Sequence, residues 1–394
     1  MNALDLEGIV RAIRSALPKS DEPVQLHEPR FEGNEWPYIK ECLDTRWVSS
    51  VGSYVDRFEK ELAEYASVKR AVAVVNGTAA LHVCLKLAGV RAGDEVIIPA
   101  LTFVATANAV AYCGAIPHLA DSAEATLGLD PAKLAEHLAE VAEIADGACR
   151  NRLTGRPIRA VLPMHTFGHA VDLEPLQEVC RRWKLALIED AAESLGTFYQ
   201  GRHTGNYGCL AALSFNGNKI ITTGGGGAIL TNDEELGRLA KHLTTTAKVP
   251  HRWEFSHDQV GFNYRMPNLN AALGCAQLEQ LPGFLAAKRA LAERYRAAFA
   301  GVRGIRYFSE PAGSRSNYWL NTLLLDETHA DKRDAVLAAA NSAGLTTRPA
   351  WTLMHRLPMF QEAPRMDLSV SESLERRILN IPSGVALGAG APHA

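Results

Sequence analysis

From about residue 70 onward, short β-branched and aliphatic runs alternate with amphipathic segments. AVAVV (71–75) reads as a buried strand, and NGT then opens a helix at TAALHVCLKLAG. EVIIP (95–99) precedes the helical ATANAVAYCG, and IPHLAD precedes a helix that starts near Asp130-Pro131. RAVLPM (159–164) and LALIED (185–190) bracket the helical DLEPLQEVCRRW. Alternation of this kind predicts a mainly parallel sheet with helices on both faces. ALSFN (212–216) and GAILTN (227–232) are joined by a loop, which predicts one antiparallel strand at this point.

The pattern changes after Pro267. A helical stretch over residues 268–300 leads to the strand YWLNTLLLD (318–326) and the helix DKRDAVLAAANSAG, with Gly344 as its cap. At the other end, Leu6, Ile9, Val10, Ile13 and Leu17 recur at helical spacing among charges, so this segment reads as an amphipathic helix packed on the body and not a secretion signal. The expected division is an N-terminal helix (1–25), a large domain (26–264) and a small C-terminal domain (265–394) that includes the connecting helix. The small-residue tail GVALGAGAPHA reads as frayed.

Composition narrows the function classes. The 394 residues are 47% hydrophobic and 22% charged, enough apolar material for a sizeable core. Lys and Arg number 41 against 44 acidic residues, a net charge of −3, so no broad basic face for nucleic acid or an anionic membrane is expected. No apolar run approaches the ~20 residues that cross a bilayer. Seven cysteines without a CxxC pair speak against a disulfide framework and a structural zinc site, and for a cytoplasmic protein without metal. His165 and His169 are four apart in HTFGH, but Gly168 interrupts them after a strand, so they read as loop residues and not a zinc pair.

Ligands of open α/β sheets sit beyond the carboxyl ends of the strands, and four candidate features fall there. Asn76-Gly77-Thr78 opens a helix, where free backbone N–H groups and a hydroxyl suit a phosphate. Phe103 follows EVIIPAL and offers an aromatic face. Asp190 ends LALIED, where a carboxylate either caps the next turn or pairs with a cation. Lys219 lies in SFNGNKIITTGGGG, a setting in which a lysine can form a Schiff base. Each has an ordinary structural use when taken alone. Together they supply a ring stacker, a partner for a pyridine nitrogen, a phosphate cradle and an aldehyde-binding amine, the four needs of pyridoxal phosphate. GGGG precedes a strand and so is no dinucleotide fingerprint, and no GxxxxGK[ST] occurs.

SFNGNKIITTGGGGAILTND, EDAAESLG, NGTAALH, PALTFVATANA and GFNYRMPNLNAALG strongly resemble the DegT/StrS-like sugar aminotransferases, over about residues 26–382. The resemblance implies an aspartate-aminotransferase-type fold (pyridoxal-phosphate fold type I). Its mainly parallel seven-stranded sheet is joined to a smaller C-terminal α/β domain. It also implies pyridoxal 5′-phosphate as cofactor and a homodimer with shared active sites. In these terms Lys219 would bind the cofactor aldehyde and shuttle the proton, Asp190 would keep the pyridine nitrogen protonated, and Phe103 would stack on the ring. Gly77, Thr78 and Ser214 would cradle the phosphate, with Asn263 reaching in from the partner subunit. Glu193 takes the place near the ring oxygen where many relatives carry His or Gln, and its role stays open.

PRFEGNEWPYIKECLDTRWVSSVGSYVDRFE, TTTAKVPHRWEF and RPAWTLMHRLPMF are similar to the branch of legionaminic acid and bacillosamine pathways. That similarity implies amination of a nucleotide-linked 4-keto-6-deoxy amino sugar, typically the uridine-diphosphate form, by glutamate, for nonulosonic acid, lipopolysaccharide or other surface glycans. Arg252, Arg265, Arg348, Trp351 and His355 are the candidates for contacts to a diphosphate and a base, and each also has a structural use. Two rivals stand beside this reading. Related deoxysugar dehydratases carry histidine where this chain has Lys219. A cofactor-binding dimer without turnover would show no absorbance change with glutamate.

Overall fold

The computed structural model describes residues 4–20 and 22–389, and a seven-stranded sheet forms its centre. In chain order the strands are β1 (Arg70–Val74), β2 (Glu95–Pro99), β3 (Ile116–Ala120), β4 (Ile158–Val161), β5 (Ala186–Asp190), β6 (Leu210–Ser214) and β7 (Gly227–Thr231). They lie side by side in the order β1-β7-β6-β5-β4-β2-β3. From β6 to β3 all neighbours are parallel, and β7 is antiparallel to both β6 and β1. No crossover helix separates β6 from β7, so the chain can only turn back, as the sequence pattern predicts. Val72, Val74, Val96 and Ile98 pack on one face with Leu81 and Leu85 of the helix Gly77–Leu87. Ala71, Ala73, Leu213 and Leu230 pack on the other with Phe58 and Leu62. A sheet covered on both faces reads as continuous apolar strands, which is why the strands stand out in the sequence.

A second, four-stranded antiparallel sheet is built from Ile305–Tyr307, Asn321–Leu325, Arg348–Pro349 and Ile378–Ile381. The helix Asn268–Phe299 ties the two sheets together. Its Ala271, Cys275 and Leu278 join the Phe58 cluster, and its Leu291, Tyr295 and Phe299 join Ile9, Ile13 and Leu17 from the N-terminal segment. Each such aliphatic side chain contributes about 2 kcal/mol when fully buried. Asp5 starts the helix Leu6–Ser15 by accepting the Gly8 N–H at 2.8 Å. We propose 26–264 as the large unit and 265–394 as the small one, with the N-terminal helix packed on the latter.

The C-terminal tail departs from expectation. Val385–Ala389 forms a short helix against the long one, and a Cβ on Gly388 would lie 1.9 Å from the Ala287 carbonyl oxygen. The small residues there serve close packing as well as freedom of the chain, and residues 390–394 lie outside the described residues. No described helix is long and apolar enough to cross a membrane. All seven cysteines are free thiols, and no cluster of potential metal ligands occurs among the described residues.

The HTFGH segment is a tight turn wedged against the small unit. Gly168 has φ +96°, and a Cβ there would meet Asn317 Oδ1 at 2.0 Å, so only glycine fits. His165 Nδ1 accepts the Val171 N–H at 3.3 Å, and its Nε2 faces Glu189 at 3.1 Å. His169 lies between the rings of Phe308 (4.9 Å) and Tyr318 (5.4 Å), and neither of its ring nitrogens has a hydrogen-bond partner. Burial pulls its pKa down to about 4 from an ordinary 6.5. The folded state therefore refuses a proton that the unfolded state accepts. This contribution to stability is complete above pH 6.5 and is lost as the pH falls toward 4. His169→Phe is expected to shift acid unfolding to lower pH, as followed by circular dichroism. An unchanged acid limb contradicts this account.

Candidate active site

Residues that follow β1, β2, β5 and β6 line a cavity of about 330 Å³. At the end of β1, Asn76 caps the helix Gly77–Leu87 by accepting the Ala79 N–H at 2.8 Å. That helix start presents Gly77 and Thr78 to the cavity. Ser214, the last residue of β6, closes beneath it: a Cβ on Gly77 would lie 2.9 Å from the Ser214 Cβ. Gly227 is needed for the same reason, since a Cβ there would press on the Asn76 backbone at 2.5 Å. First-turn N–H groups, two hydroxyls and no carboxylate make a donor set suited to phosphate.

Asp190 ends β5 and is almost wholly buried. Its Oδ2 accepts the Thr106 hydroxyl at 2.7 Å, and its Oδ1 accepts the Ala192 N–H at 3.2 Å. Burial pushes its pKa up, opposed by the Thr106 and Ala192 hydrogen bonds and by the charge of Lys219. Glu189, one residue earlier, is treated differently. Burial alone would raise its pKa, but His165 and the N–H groups of Gly208 and Gly205 overcome that and hold it low. Glu189 is thus fully engaged in bracing the strand end. Asp190 has no ion-pair partner among the described residues, and a protonated ring nitrogen would supply one.

Lys219 lies in the connection between β6 and β7, its side chain 12% exposed. Its Nζ is 3.1 Å from Glu193 Oε1 and 3.9 Å above the Trp319 ring. Burial pushes the Glu193 carboxyl up to about pKa 7, against the Lys219 charge and the Phe167 N–H, which donates to Oε2 at 2.9 Å. Phe103, half exposed, meets Trp351 edge-on at 6.2 Å, and Trp351 packs on Phe167 at 4.9 Å, so aromatic rings wall one side of the cavity.

Of the residues singled out from the sequence, Gly77, Thr78, Phe103, Asp190, Glu193, Ser214, Lys219 and Trp351 line this cavity. Arg348 lines an adjoining cavity of about 630 Å³, which shares Asn218, Trp319 and Trp351 with the first. Arg252 and Arg265 lie apart, in an open recess with Lys248 and His251, where Arg252 stacks on Trp253 at 4.5 Å. Asn263 is exposed, its backbone bridged to Thr245, and it does not line the cavity. His355 faces Glu372 at 3.1 Å and lines neither cavity.

Sequence reasoning missed Trp319, Thr106 and His27. Trp319 precedes the strand Asn321–Leu325 and looks like core; only folding brings it over Lys219. Thr106 sits in the apolar helix Val104–Tyr112, with no local sign that its hydroxyl serves Asp190. His27 lines the second cavity with both ring nitrogens sealed from solvent and unpartnered.

A phosphate turn, an unpaired buried carboxylate and a cavity amine fit pyridoxal phosphate on the chemistry of the donors alone. A sequence profile of the DegT/DnrJ/EryC1/StrS aminotransferase family matches residues 29–391. The chain is 40% identical over 371 residues to the GDP-perosamine synthase of Caulobacter vibrioides, covering 93% of this chain and 95% of that one. The aminotransferase TlmJ from Streptoalloteichus hindustanus is 29% identical, with TM-score 0.82 over 92% of this chain and 94% of that one. DesI, solved in the presence of its TDP-sugar product, is 27% identical, with TM-score 0.82 over 93% and 89%. The seven-stranded sheet and smaller domain are the pyridoxal-phosphate fold type I architecture, and pyridoxal 5′-phosphate is the cofactor. The chain belongs to the DegT/DnrJ/EryC1/StrS aminotransferase family, a family of sugar aminotransferases.

Proposed function

We propose that this enzyme transfers the amino group of glutamate to the ketone of a nucleotide-linked 4-keto-6-deoxy sugar. The carrying observation is the second cavity, entered past Trp319 and Trp351 and edged by Arg348, which gives room for much more than an amino acid beyond Lys219. When bound, pyridoxal phosphate supplies an aldehyde and a ring that takes up the electrons left when a proton leaves the amino carbon. The phosphate is held by the turn at Gly77 and Thr78 with Ser214. Asp190 would hold a proton on the ring nitrogen, and Phe103 would offer its aromatic face to the ring. Lys219 takes the proton from the amino carbon and returns it one atom away, reversing the sequence in the second half-reaction.

Two nucleotides compete for the acceptor. The uridine-diphosphate form of 4-keto-6-deoxy-N-acetylglucosamine is the first reading, on the branch similarity of segments such as RPAWTLMHRLPMF. A guanosine-diphosphate sugar is the second, favoured by the 40% identity to a GDP-perosamine synthase. The enzyme, loaded with its amino group by glutamate and freed of it, is mixed with each ketosugar and with free 2-keto acids. Return of the original absorbance with one nucleotide-linked sugar at low concentration is expected. Return with keto acids alone overturns the proposal.

The active site is proposed to be shared in a homodimer. Trp36, Trp47, Val51, Phe255 and Val260 are exposed in one chain, a lasting solvent contact that a partner would relieve. Asn263 then reaches the partner's phosphate turn, which explains its distance from its own cavity. Mixing inactive Lys219→Ala and Asn263→Ala subunits is expected to restore part of the activity. No recovery in subunits shown to exchange overturns the shared site.

A further inference from the structure

We propose that Glu193 is a catalytic residue, the base that relieves Lys219 of its proton each time the lysine must attack and that hands it back when the lysine is released. This rests on Lys219 being the cofactor-binding amine. An ammonium has no lone pair, so Lys219 must lose a proton before it can form a bond to carbon. The Glu193 carboxylate is the acceptor placed to take it, with Oε1 at 3.1 Å from Nζ. The Trp319 ring stabilises the ammonium at 3.9 Å but cannot accept its proton. The Phe167 N–H occupies Oε2, which leaves Oε1 as the oxygen turned to the lysine.

Burial at Glu193 narrows the energy gap between the charged and neutral forms of the pair. Glu193 is 1% exposed in its side chain, so the ion pair forgoes the hydration of both charges, and the neutral pair avoids that cost. The groups facing the pair are few. Asp190 opposes a second anion at Glu193, and burial works in the same direction. Lys219 favours the anion, and its charge also reaches His27, which burial, Lys288 and Lys219 keep neutral. In the transfer the N–H bond of the ammonium breaks and an O–H bond forms on Oε1, leaving a neutral amine and a neutral acid. The reverse transfer follows when the amine is set free, so the proton stays within the site and none is drawn from water. Glutamine at this position could hold Lys219 in place but could not take its proton, which gives the Glu193 carboxylate a purpose of its own in this chain.

The test is the capture of added pyridoxal phosphate by cofactor-free protein, followed as the rate of absorbance change against pH. Wild type is expected to show a step near neutrality. Glu193→Gln keeps the shape and loses the acceptor. It is expected to capture about a hundredfold more slowly at pH 7 and to recover at alkaline pH, where hydroxide replaces the base. Glu193→Asp is expected to regain part of the neutral rate, which a purely structural role does not predict. Difference infrared spectra of wild type give a reading independent of any variant's folding: a protonated-carboxyl band should appear on capture. An unchanged pH profile in Glu193→Gln, or no such band in wild type, overturns the role of Glu193. Equal capture by Lys219→Ala overturns instead the assignment of the lysine.

Discussion

Lys219→Ala is expected to lose at least about 10⁴-fold in turnover, because in the proposed mechanism one side chain serves both as the attachment point and as the proton carrier. The fold should survive. Removing one partner of a buried ion pair ordinarily costs several kcal/mol, since the other charge is stranded. Here Glu193 can escape that cost by taking up a proton, its pKa already standing at about 7. The variant should therefore unfold in a single transition near that of the wild type, more so below neutral pH. Lys219→Arg should be as inactive, its guanidinium being charged throughout. Borohydride should fix the cofactor to the peptide containing Lys219 in wild type. Finding it on another lysine refutes the assignment.

Asp190→Asn is expected to lower kcat by about 10²–10³-fold while leaving the protein folded. The substitution preserves shape and the Thr106 contact at 2.7 Å but removes the negative charge proposed to keep a proton on the ring nitrogen. Burial already opposes ionisation of Asp190, which favours a neutral side chain. The amide NH2, however, replaces one of the two oxygens that accept from Thr106 and the Ala192 N–H, so the protein should stay folded at a modest cost in stability. Both half-reactions should slow together, since each needs the same electron-accepting ring. Loss in only one half-reaction, or a near-normal rate, means that the ring nitrogen has another partner.

These two residues were legible because their signals are local. Asp190 closes an unmistakable buried strand, Lys219 follows one, and Asn76-Gly77-Thr78 combines a cap with a helix start. The reversal at β7 was legible too, from the absence of a helix between two apolar runs. What could not be read is what the fold assembles from distant segments. Trp319 comes to Lys219 from 100 residues away, and Thr106 to Asp190 from 84. The helix Ser53–Ala66 went unread because its buried stripe of Val55, Phe58 and Leu62 is set in a strongly charged segment. The tail at Gly388 was misread because small residues signal close packing and looseness alike. Arg252, Arg265 and Asn263 lie away from the Lys219 cavity in their own chain, so their use depends on a surface that one sequence does not display.

The central claim is amination of a nucleotide-linked ketosugar. Its most direct test gives the purified enzyme isotopically labelled glutamate and the two diphosphate-linked 4-keto-6-deoxy sugars, uridine and guanosine, and reads the products by mass spectrometry and NMR. The account predicts that the labelled nitrogen appears as an amine on C4 of one intact nucleotide sugar, in amounts equal to the 2-oxoglutarate formed. Label that passes to 2-keto acids, and never to a nucleotide sugar, would contradict it.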